Sequence, residues 1–152
     1  MKNMGVAIIL VAIAGFYTAP AEAGWKGGCR VSSLAGEWIF ATSIGRQMLG
    51  GPFPPDKDIT ALGTMHVNRD GSVSGKFDVT VEDTIFLPDV GFDGSITLER
   101  DCTGTLTFVT AVGSVRTDSI ALVAHDEALG MSQDPANLWT YQMRRIGRGS
   151  RD

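Results

Sequence analysis

From Leu34 onward, apolar side chains recur at every second position, in runs bounded by Gly, Asn, Asp and Pro. That is the pattern of half-buried antiparallel strands. Leu34, Gly36, Trp38 and Phe40 alternate with Ala35, Glu37 and Ile39 in the first run. A stretch holding Gly50-Gly51-Pro52 and Pro54-Pro55 then interrupts the pattern, because proline has no N–H to give to a ladder. Ile59, Ala61, Gly63, Met65 and Val67 form the clearest strand, alternating with Thr60, Leu62, Thr64, His66 and Asn68. After the turn Asn68-Arg69-Asp70-Gly71, in which glycine supplies the positive φ, Val73, Gly75, Phe77, Val79 and Val81 resume the alternation.

A second hairpin pairs Phe92–Leu98 with Thr103–Val109 around Glu99-Arg100-Asp101-Cys102. Val115–His125, Ala128–Ser132 and Leu138–Ile146 read as the remaining strands, with Asp134-Pro135 as a turn and no convincing helix anywhere. About eight short strands with hairpin-length links suit a barrel or a sandwich, and a closed antiparallel barrel is favoured because closure removes edges that invite aggregation. Such an interior is wide enough either to be filled by side chains or to hold one small ligand.

The N-terminus departs from this pattern. Lys2 precedes an apolar stretch from Gly5 to Tyr17, and Ala21-Glu22-Ala23 places small residues where a signal peptidase reads. Residues 1–23 are expected to be a signal peptide cleaved after Ala23, since about 13 apolar residues span about 20 Å against a bilayer core of about 30 Å. No membrane span is expected after processing. Of 152 residues, about 129 would remain, with residues 24–146 as one barrel domain and 147–152 as a flexible basic tail. The protein is then secreted or periplasmic, and Cys29 and Cys102, its two cysteines, are expected to close a disulfide in an oxidising compartment. The net charge of −4 and the lack of a basic cluster before the tail argue against nucleic acid as a partner.

Gly36-Glu37-Trp38 opening the first strand, with Arg144 and Arg145 closing the last, resembles the G-x-W and closing arginine of lipocalins and other calycin barrels. First and last strands are neighbours in a closed barrel, so Arg145 would lie over the Trp38 indole and plug the floor. A second resemblance covers most of the chain. Leu34–Phe40, the turn Asn68–Gly75 and Phe92–Thr105, with its Asp101-Cys102-Thr103-Gly104-Thr105 stretch, are similar to exported bacterial and fungal relatives of the allene oxide cyclase barrel. That resemblance implies an eight-stranded antiparallel barrel and supports the disulfide. The chain departs from it at Ala124-His125-Asp126-Glu127-Ala128. Plant members of that group hold a fatty-acid epoxide in the barrel, and no catalytic residue of theirs has a positional match here.

Candidate chemistry is sparse. His66 and His125 are the only histidines, with no spacing that suggests a metal site, so neither a metal nor a cofactor is expected. His66 belongs to the polar face of its strand. His125, beside Asp126 and Glu127 on a turn, has the composition of a general base but reads more readily as a surface turn. Asp78, Glu82, Asp83, Asp89 and Asp93 form an acidic run, with Asp78 and Glu82 facing outward by alternation. Asn68–Ser72 lacks the closing acid of a calcium loop, and no G-x-S-x-G occurs.

The inward set comprises Trp38, Phe40, Met65, Phe77, Val79, Ile96, Leu106, Phe108, Leu122, Trp139 and Tyr141. If a cavity survives among these side chains, it suits a small lipophilic molecule, lipid-like or aromatic, touched by Trp38, Phe40, Met65, Phe77, Phe108, Trp139 and Tyr141. Two alternatives stand beside this binding function. One is a cofactor-free cyclase or isomerase acting by confinement, with Tyr141, Arg145 and His125 as candidate catalytic residues. The other is a solid-cored surface-interaction module whose exposed loops, Arg46–Asp58 and Asp83–Asp89, carry the contacts.

Overall fold

The computed structural model describes residues 28–47, 57–82, 84–134 and 137–148. Eight antiparallel strands run in chain order: β1 (Gly36–Gln47), β2 (Asp58–Val67), β3 (Ser72–Val81), β4 (Thr84–Leu98), β5 (Thr103–Thr110), β6 (Val115–Ala124), β7 (Glu127–Ser132) and β8 (Asn137–Arg148). Each pairs with the next, and β8 pairs back onto β1, so the sheet closes into a barrel. The period-two pattern has its cause in this closure: one face of every strand lines a lumen and the other meets solvent. Along β2 the inward Ile59, Ala61, Met65 and Val67 are buried, whereas Leu62 is 64% exposed.

Three expectations change. The exposed loop expected at Asp83–Asp89 is strand over Thr84–Asp89. These residues open β4 and pair with the end of β3 through two register shifts. Asp89 takes a φ of +48°, and its N–H donates to the Asp78 carboxylate at 2.8 Å. A bulge of this kind lets a strand carry proline without losing its partner. The loop expected from Arg46 likewise starts later, since β1 continues through Gln47, and residues 48–56 lie outside the described residues. Finally, β8 extends to Arg148 instead of stopping at Ile146, and one 3-10 turn precedes the barrel at Val31–Leu34. Residues 1–23 and the tail beyond Arg148 lie outside the described residues.

One end of the barrel is closed by that turn. Trp38, fully buried, donates from Nε1 to the Leu34 carbonyl at 2.7 Å. Arg145 stacks over its indole at 4.8 Å and donates to the Ser33 carbonyl. Cys29, just ahead of the turn, is bonded to Cys102 in the β4–β5 turn. That turn repeats the chemistry of the β2–β3 turn. Asp70 accepts the Ser72 N–H at 2.9 Å and its hydroxyl at 2.8 Å, and Asp101 accepts the same two groups of Thr103 at 3.0 and 2.7 Å. These bonds hold both carboxyls below the usual range, chiefly through the Ser72 N–H for Asp70 and the Thr103 hydroxyl for Asp101. Gly71 occupies the left-handed position in the first turn (φ +90°), and Cys102 occupies it in the second (φ +72°). A non-glycine residue there costs about 1 kcal/mol, and the covalent bond holds it in place.

Candidate functional site

Above the floor the lumen is built from rings set opposite glycines. Phe40 faces Gly63, Phe92 faces Gly75, Phe108 faces Gly94 and Tyr141 faces Gly130, each pair directly opposed on adjacent strands. A Cβ at Gly63 would stand 2.7 Å from Phe40 Cζ, and one at Gly75 2.6 Å from Phe92 Cζ, so the rings lean over their neighbours because those positions are bare. The rings meet one another in tilted and edge contacts: Phe40 lies 6.2 Å from Phe77, Phe92 and Tyr141, and Phe92 lies 5.2 Å from Phe108. Such geometries add about 0.5–1.5 kcal/mol each beyond area burial.

Among these rings lies a cavity of about 50 Å³, lined by Phe40, Thr42, Ala61, Met65, Phe77, Phe92, Leu106, Phe108, Arg116, Asp118, Trp139, Tyr141 and Met143. Asp118, 4% exposed, enters it from β6, where strand alternation puts it on the same face as Ile120 and Leu122. Burial raises its carboxyl above the ordinary range, against the opposing pull of Arg116 and the hydroxyls of Tyr141 and Ser132. Burial, and then the nearby Asp118 charge, pushes the Tyr141 phenol far up. Arg116 stacks on the Trp139 indole at 4.7 Å and donates to the Ser132 hydroxyl at 3.3 Å. Asp118 Oδ1 and the Tyr141 hydroxyl are sealed from solvent, and although the two side chains lie close enough to influence each other's protonation, among the described residues neither atom has a partner within hydrogen-bond distance.

Phe40, Met65, Phe77, Phe108, Trp139 and Tyr141, all expected to touch a ligand, line this cavity, whereas Trp38 lies in the floor and does not. Tyr141, Arg145 and His125 are not brought together. Tyr141 is in the lumen, Arg145 is engaged with Trp38 and Ser33, and His125 is exposed on the β6–β7 turn. His66 lies on the outer face, 2.6 Å from Glu37 and 3.1 Å from Asn68, and the Glu37 bond raises its imidazole above 6.5. Arg116, Asp118 and Phe92 are absent from the set chosen on sequence. The alternation that selects Leu122 also selects Asp118 and Arg116 on the same strand, and their charge is what sets them apart from its apolar members.

No protein-family model and no curated protein matches the chain. Solved structures do. The redesigned β-barrel mFAP0, solved bound to DFHBI, aligns with a TM-score of 0.53 at 16% identity, covering 74% of this chain and 99% of its own. The redesigned barrel mFAP1, also bound to DFHBI, aligns at 0.54 and 14% identity, covering 77% of this chain and 100% of its own. A third redesigned barrel, b11L5F_LGL, gives 0.53 at 18% identity, covering 77% and 96%. At this level of identity the likeness is one of fold. No helix among the described residues is long and apolar enough to cross a membrane, and no group of three or more metal-binding side chains gathers among them.

Proposed function

We propose that this protein is an exported barrel that binds one small, largely apolar molecule in its lumen. The observation that carries the reading is the pair Asp118 and Tyr141, buried among aromatic rings with an acceptor and a hydroxyl that no described residue engages. A barrel kept only as a solid core gains nothing from them. Each buried group left unpaired costs about 1–3 kcal/mol, and apolar residues of similar volume would fill the space without that cost. Unpaired polar groups in an apolar cavity are instead what fixes the orientation of a ligand.

Size limits the ligand. About 50 Å³ is roughly a third of the ~150 Å³ that accommodates benzene, so the cavity as it stands takes a few waters and a ring-sized guest requires side chains to move. Phe40, Phe77 and Phe108, among the rings that line it, are only half-buried. The redesigned barrels solved with DFHBI support the capacity of this fold to hold a small molecule. Export is supported by the leader-like residues 1–23 and by the disulfide. Kinship with the allene oxide cyclase barrels rests on Leu34–Phe40, Asn68–Gly75 and Phe92–Thr105.

Native mass spectrometry of protein purified from its own producer tests the reading. A small molecule retained in gentle conditions and released on unfolding is the expected result. A protein that carries no such mass, and that no small hydrophobic molecule stabilises, contradicts it.

A further inference from the structure

The polar groups of the lumen converge from neighbouring strands, and most of them are already engaged. Thr42, directly opposite Tyr141 on β1, accepts the Ala61 N–H through its hydroxyl at 2.6 Å. Ser132, directly opposite Asp118 on β7, accepts from Arg116 and from the Asp134 N–H at 3.1 Å. Arg116 is held between Trp139 and Ser132. Asp118 Oδ1 and the Tyr141 hydroxyl, in residues 4% and 8% exposed, have no partner within hydrogen-bond distance among the described residues. Tyr141 reaches toward β6 because Gly130, on the strand between, leaves its ring space to lean across.

We propose that the lumen selects an uncharged molecule bearing a hydroxyl group, which donates to Asp118 and accepts from Tyr141 while its apolar body lies among Phe40, Phe77, Phe92 and Phe108. The inference rests on the reading of the lumen as a ligand site and specifies the chemistry it prefers. A hydroxyl donates through its O–H and accepts at the same oxygen, which suits two adjacent unpaired groups in a cavity of about 50 Å³. An ammonium has donors for Asp118 but no acceptor for Tyr141, and it meets the Arg116 charge lining the same cavity. A carboxylate ligand faces repulsion from Asp118. A purely apolar ligand leaves both polar groups unpaired.

The test uses p-cresol, 4-methylanisole, toluene and 4-methylbenzylamine, titrated into the oxidised mature protein and followed by calorimetry and by the melting temperature. p-Cresol is expected to bind about tenfold or more tighter than toluene or 4-methylanisole, the difference expected of a hydrogen bond made in a site closed to water. The amine gains nothing over toluene. Asp118→Asn and Tyr141→Phe, both near-isosteric, reduce the preference for p-cresol, and each variant's circular dichroism and melting curve confirm that it folds. Equal binding of p-cresol and toluene overturns the hydroxyl preference and leaves the lumen as an apolar site. Failure of all four probes to bind at millimolar concentration overturns the lumen reading itself.

Discussion

The ring of Tyr141 occupies the space above Gly130 that any other residue's Cβ would claim, and this places the phenol next to Asp118. Glycine in mid-strand ordinarily weakens a sheet, but here it admits a ring from the neighbouring strand. Gly130→Ala forces the phenol aside and strains the core. A loss of about 1–3 kcal/mol in urea unfolding is expected, the usual cost of overpacking. An unchanged midpoint contradicts the placement of Tyr141.

Asp118 makes stability depend on pH in an unusual direction. Its carboxyl is raised mainly by burial, so the folded state binds the proton more tightly than the unfolded chain does. Stability therefore falls as pH rises from the ordinary carboxylate value, about 3.9, through the raised folded-state value, and stays lower above it. Asp118→Asn removes this contribution. The variant is expected to be more stable than the parent at pH 7, by on the order of 1 kcal/mol, and to lose the decline across that window. Equal stability of the two proteins at both pH 4 and pH 7 contradicts the burial of a charge.

Arg145 and Trp38 stabilise the floor and lie outside the lumen site. Arg145→Ala loses the stacked guanidinium and its bond to the Ser33 carbonyl, with an expected cost of about 1–3 kcal/mol. Affinity of the folded variant for p-cresol should match the parent's. A selective loss of affinity with stability unchanged assigns Arg145 to the ligand instead.

The Cys29–Cys102 bond spans 73 positions and ties the N-terminal turn to the β4–β5 turn. Loop-closure entropy sets its contribution at about 4 kcal/mol as an upper value. Replacing both cysteines by alanine is expected to lower stability by up to that amount, and Cys102→Gly with Cys29→Ala by less, because glycine accepts the left-handed backbone at position 102. The ordering of these two double variants by melting temperature is the check.

How far the sequence reveals this molecule depends on what each residue does for its strand. The lumen-facing members of β2 and β3 are legible because burial and period coincide, and the Asn68–Gly71 turn declares itself through glycine. The start of β4 is hidden because Pro88 and the acids around it have the composition of a loop, while the bulge that accommodates them depends on Asp78, ten positions earlier. The polar centre of the lumen is hidden for a different reason. Asp118 and Arg116 obey the alternation but break the apolar rule, and only the closed barrel shows that they enter the same cavity as Tyr141. The glycines opposite the rings become meaningful only once strand register is known.

Methionine methyl NMR locates a bound molecule inside or outside the barrel, because the chain places probes on both sides of the sheet. Met65 and Met143 are buried and line the lumen, whereas Met131 is 53% exposed on the outer face. Titration with p-cresol is expected to shift the Met65 and Met143 methyl signals saturably and to leave Met131 unmoved. A saturable shift at Met131 alone, or no saturable shift at Met65 and Met143, contradicts a ligand site inside the barrel.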